Sequence, residues 1–84
     1  MSWFDDPRTF ALDAIIAYNF STVDEASQKA APHVLDAHTA LKERQDYSRA
    51  LEHAKTAASL DARAGTVVRA LEAVVMADQK DQLP

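Results

Sequence analysis

The sequence predicts an all-α fold: one small antiparallel bundle of three to five helices within 84 residues. Three observations carry that expectation. Apolar residues recur at spacings of three and four along each long segment, which is the period of a helix and not of a strand. Helix breakers are scarce, with Gly65 the only glycine and Pro7, Pro32 and Pro84 the only prolines. Acidic residues stand where helix starts need acceptors for exposed backbone N–H groups, at Asp6, Asp46 and Asp61.

The first element is the one the rest is expected to wrap. The stretch Trp3–Phe20 holds Trp3, Phe4, Phe10, Tyr18 and Phe20, leaving Tyr47 as the only aromatic residue elsewhere. Asp6 caps the helix, and Pro7 suits its first position because its missing N–H costs nothing there. Phe10, Leu12, Ile15, Ile16, Tyr18 and Phe20 spread almost all round the axis, with Thr9 and Asp13 leaving a narrow polar strip. A helix of that kind is a core helix or an interface helix. Trp3 and Phe4 precede the cap and are placed to fold back on it.

The helix ends over Asn19–Thr22. Thr22 with Glu25 three residues later reads as a capping box, so a second helix is expected over Val23–Ala31. Inside a helix Pro32 costs about 3 kcal/mol, so a break is expected there, with Pro32 opening the third helix. No glycine or proline interrupts the chain from His33 to Leu60. The stripe does rotate, from Val34, Ala37 and Leu41 to Tyr47, Ala50, Leu51, Ala54 and Ala58. One continuous helix of about 40 Å is the favoured reading, and a break at Arg44–Asp46 with Asp46 as cap is the alternative. Asp61 then caps a last helix, running from Ala62 to about Gln79 with the stripe Ala64, Val67, Val68, Leu71, Val74 and Val75. Gly65 marks the turn or permits a close helix crossing. Met76 falls on the opposite side with Arg69 and Glu72, and the tail from Asp78 is expected to fray.

The segment Tyr47-x-x-Ala50-Leu51-x-x-Ala54-x-x-Ala57-Ala58-x-Leu60-Asp61 resembles the second helix of a tetratricopeptide repeat, a protein-binding repeat family. The resemblance implies a helical hairpin ending at Leu60. His38 and Arg44 stand where that pattern has small residues, Ala62 stands where it has proline, and no period of about 34 residues is present.

Composition narrows the function. There is no cysteine, so neither a disulfide nor a thiolate metal site can form. No apolar run approaches the 18 or so residues of a membrane span. The start, MSWFDDPR, lacks the basic and apolar regions of a secretory signal, so a cytoplasmic protein is expected. A formal net charge of −4 opposes non-specific adhesion to nucleic acid. One glycine cannot build a phosphate cradle. Of the histidines, His33 and His38 lie about 140° apart on a helix. His33 and Asp36 share a face but supply only two ligands. No catalytic, cofactor or metal site is expected.

What remains is contact with other proteins. A small cysteine-free, acidic helical chain, of a size found among phage- and mobile-element-encoded accessory proteins, suits a regulatory adaptor or inhibitor that masks a partner's surface. Trp3, Phe4 and Met76 are the candidate partner-binding anchors, with Asp5 and Asp6 beside the first two favouring a basic partner. A chain with few large apolar groups outside its first helix is also expected to form a homo-oligomer, a dimer above all. One alternative is a small dimeric DNA-associated regulator using Arg44, Arg49 and Lys55, its helix-turn-helix corner at Pro32. A structural homo-oligomer subunit is the other.

Overall fold

Backbone capping sets the element order, seen in a computed structural model that describes residues 6–21 and 23–83. Four helices pack as a bundle: α1 (Pro7–Phe20), α2 (Glu25–Lys42), α3 (Tyr47–Leu60) and α4 (Gly65–Gln79), with a 3₁₀ turn, Ala62–Ala64, before the last. The Asp6 carboxylate accepts from the Arg8 backbone N–H at 2.9 Å, with Pro7 in the first turn, as expected. α2 is capped by Asp24 instead of Thr22. Ser27 N–H donates to Asp24 Oδ1 at 3.0 Å, and Asp24 N–H donates to Ser27 Oγ at 3.1 Å. Thr22 itself lies outside the described residues.

Two boundaries differ from the sequence expectation. Pro32 does not open a helix; it lies inside α2. Both Pro32 and Gln28, whose carbonyl loses its donor, are solvent-exposed, so water can serve that carbonyl. Burial of Val34 and Leu41 on the opposite face contributes roughly 3–6 kcal/mol, which outweighs the proline cost of about 3. Nor is 33–60 one helix. Gln45 takes a left-handed φ of 53°, the Asp46 N–H donates to the Ala40 carbonyl at 2.9 Å, and Asp46 then caps α3. The rotation of the stripe is this break.

Two cross-chain bonds orient α1. Arg8 Nη1 donates to Tyr47 Oη at 3.4 Å at the start of α3, and Tyr18 Oη donates to Asp61 Oδ2 at 2.8 Å at its end. α1 therefore runs parallel to α3, and α2 and α4 run the other way. α2 packs most extensively on α3, while α4 bridges α3 and α1, and α1 packs less extensively on α2. The bundle measures 39 × 21 × 20 Å.

Alanine dominates the interior. Ala11, Ala30, Ala37, Ala50, Ala54, Ala57 and Ala64 are fully buried beside Ile15, Val34, Val67, Leu71 and Val74. Small side chains let helix axes approach toward the short end of the usual 8–10 Å. The expectation that the bundle wraps α1 is overturned. Only Ala11, Ile15 and Tyr18 of α1 are buried, while Phe10 is 59%, Ile16 47% and Phe20 84% exposed. In the tail, Leu83 packs on the core and the Gln82 N–H donates to the Ala77 carbonyl at 2.8 Å.

Gly65 stands where the 3₁₀ turn passes into α4, its N–H donating to the Ala62 carbonyl, but its backbone is right-handed helical and a Cβ there meets nothing within 4 Å, so neither the turn nor a close crossing requires glycine. Gly65→Ala is therefore expected to raise unfolding free energy by about 0.4–1 kcal/mol, and Pro32→Ala by about 1–3. Urea titration of each variant checks both, and a loss of stability in either contradicts these placements.

Candidate functional site

Among the described residues, the outer face of α1 gathers three of the exposed large apolar side chains, Phe10, Ile16 and Phe20. At 3.6 residues per turn, Phe10, Asp13, Ile16, Ala17 and Phe20 fall within an arc of about 120°, and all five are exposed. Ala11, Ile15 and Tyr18 occupy the opposite side. The helix thus carries two apolar faces, and the bundle covers one. Val23, just beyond its end, is also exposed. An apolar stretch of this continuity on a small domain is the usual mark of a contact surface.

What fixes that face outward is a polar junction at the far end of α1. Asp61, only 6% exposed, accepts from the buried Tyr18 hydroxyl and from Arg63 Nε at 3.0 Å. Arg63 Nη2 reaches on to both oxygens of Asp24, at 2.6 and 2.7 Å. Four segments meet there: the end of α1, the start of α2, the end of α3 and the turn into α4. The Arg63 guanidinium, with Tyr18 and a backbone N–H, holds the Asp61 carboxyl below its usual range. Asp24 is drawn down to about 2, first by the Ser27 backbone N–H and then by Arg63. Burial, with the bond to Asp61, pushes Tyr18 up to about 12.

The residues expected to anchor a partner are placed as follows. Trp3, Phe4 and Asp5 lie outside the described residues. Asp6 is buried, and Arg8 holds its carboxylate through Nε and, at 2.7 Å, Nη2, which lowers its pKa. Its part is at the helix start and not in a free acidic patch. Met76 is exposed on α4, as the helical spacing of Arg69, Glu72 and Met76 implies. Phe10, Ile16 and Phe20 were visible as part of an all-round apolar helix. Their outward direction was not, because it depends on which face Tyr18 turns inward.

Of the basic residues considered for DNA, Arg49 pairs with Asp46 at 3.5 Å and Lys55 with Glu52 at 3.9 Å. The corner imagined at Pro32 does not exist, because α2 runs through it. Among the described residues every buried side-chain nitrogen or oxygen has a hydrogen-bond partner. One cluster could hold a metal: His33 and Asp36 of α2 with His53 of α3, whose ligand atoms lie within 4.8 Å of one another. No helix among the described residues is long and apolar enough to cross a membrane. Comparison with family models, curated proteins and solved structures found no match to this chain.

The junction gives stability a defined pH dependence. Asp24 and Asp61 bind protons less tightly when folded than at the ordinary value of 3.8. Their contribution is complete above about pH 5 and is lost as pH falls toward 2. Tyr18 holds its proton more tightly when folded, so its contribution is complete below its ordinary 10 and is lost as pH rises toward 12. Thermal melts followed by circular dichroism should show a plateau with a fall on each side. Tyr18→Phe should flatten the alkaline limb, and an unchanged limb in that variant contradicts the assignment.

Proposed function

We propose that this chain is a small non-catalytic protein-interaction module, of the adaptor or inhibitor kind, that works as a homodimer with the outer face of α1 as its seam. The exposed stripe of Phe10, Ile16 and Phe20 carries this reading. At 150–250 Å² per aromatic side chain, Phe10 and Phe20 alone leave on the order of 200–350 Å² in water. The alanine interior offers few large side chains to offset that exposure.

The spacing of the stripe favours a second copy as its occupant. Phe10 and Phe20 lie equally far from Ile15 along the helix, and so do Asp13 and Ala17. A two-fold axis at the level of Ile15 sets Phe10 against the partner's Phe20 and Asp13 against the partner's Ala17. This is the self-complementary pattern that an isologous interface needs. It keeps the two Asp13 carboxylates from meeting head-on while leaving each one partly desolvated. The seam is thereby weakened and kept reversible. Masking of a basic surface on another protein, the regulatory part of the reading, rests on the net charge of −4.

Sedimentation equilibrium over a tenfold concentration range tests this. The wild type is expected to be a dimer in equilibrium with monomer. Phe20→Ser occurs twice in the seam, so at about 1–2 kcal/mol per copy it raises Kd by about 30- to 1,000-fold. The same change leaves the melting temperature of the monomer in place, because Phe20 is exposed. Asp13→Ala tightens the dimer by about tenfold or more. A wild type that stays monomeric throughout, or a mass unaffected by Phe20→Ser, overturns the homodimer.

A further inference from the structure

Away from the α1 seam, on the α2–α3 side of the bundle, we infer that His33, Asp36 and His53 form a binding site for a divalent transition metal of the zinc class. The packing of α2 on α3 creates it. Fully buried Ala37, Ala50 and Ala54 bring the two helices close. His33 and Asp36, three residues apart on α2, are neighbours on the helix surface. His53 immediately precedes Ala54 on α3 and completes the group, so that the three ligand atoms lie within 4.8 Å of one another. Both histidines are half-buried and Asp36 is exposed.

The donor chemistry selects the ion. Two imidazole nitrogens and one carboxylate oxygen suit zinc, copper or nickel, whereas calcium and magnesium require oxygen donors. Zinc bonds of about 2.0–2.1 Å in a tetrahedral arrangement put ligand atoms about 3.3 Å apart. The observed group therefore needs to close by about 1.5 Å at most, a distance that side-chain rotation of these partly exposed residues covers. Among the described residues no side-chain hydrogen bond or ion pair engages any of the three. Three protein ligands leave a position for water or a further ligand.

Charge sets a limit on affinity. Arg44 and Arg49 line the cleft that Asp36 and His53 share, and among the described residues only Arg49 of the two has a carboxylate partner, Asp46 at 3.5 Å. A bound dication therefore meets Arg44 at a cost, and the site is a reversible one. Its physical effect is to staple α2 to α3 across the loop of residues 43–46.

Untagged full-length protein titrated with zinc chloride in a calorimeter tests the inference. One zinc per chain is expected, with melting temperature rising by about 10–20 °C at 100 times Kd. His53→Ala and His33→Ala should each abolish both effects without changing the metal-free melt. His38→Ala, on another face of α2, should keep them, and magnesium should produce neither. Cobalt in place of zinc should give visible absorption that His53→Ala removes. Absence of saturable one-to-one binding up to about 100 μM zinc, or binding that survives His53→Ala, overturns the site.

Discussion

A buried tyrosine hydroxyl donating to a buried carboxylate is the interaction on which this bundle's arrangement depends. Tyr18 near the end of α1 and Asp61 just beyond the end of α3 are far apart in sequence, and both are almost wholly removed from water. Neither group tolerates that environment alone, because an unpaired buried carboxylate costs several kcal/mol. Together, and with Arg63 completing the carboxylate's partners, they are satisfied in one geometry. Helical periodicity then does the rest. With Tyr18 turned inward, Ala11 and Ile15 must follow it, and Phe10, Ile16 and Phe20 must face out. An exposed apolar face is thus a consequence of one polar contact on the other side of the same helix.

The alanine interior belongs to the same argument. Close-packed helices gain dispersion contacts between backbones but bury little hydrocarbon per residue. The larger apolar side chains Phe10, Ile16 and Phe20 of α1 lie outside this interior. They remain at the surface, where their burial is available only through association. The tight α2–α3 pairing has a second effect, bringing His53 beside His33 and Asp36. The polar group at this edge and the apolar face of α1 thus have separate causes, the α2–α3 packing for the one and the Tyr18–Asp61 contact for the other.

Much of this was legible in the sequence, and the failures have physical causes. Asp6 and Asp61 were readable as caps because a cap is a local event, decided by a side chain and the next backbone N–H groups. The α4 stripe was readable because Val67, Leu71 and Val74 hold one direction. Pro32 was misread because its cost depends on whether its lost hydrogen bond faces water, a property of the tertiary fold. The break at Gln45 was visible as a rotated stripe, yet no glycine announced it, since glutamine takes the left-handed position itself. His53 was not grouped with His33 and Asp36 because they lie on another helix, at a distance set by the tertiary packing of α2 on α3. Even the direction of α1 was open, because both of its faces are apolar and only the pairing of Tyr18 with Asp61 distinguishes them.

A double-mutant cycle between Tyr18 and Asp61 tests the account at its centre. Unfolding free energies of the wild type, Tyr18→Phe, Asp61→Ala and the double variant give their coupling directly. A coupling of about 1.5–3 kcal/mol is expected for a hydrogen bond to a buried charged group. If the two changes add to within about 0.5 kcal/mol, the contact does not orient α1, and the outward placement of Phe10, Ile16 and Phe20 loses its cause.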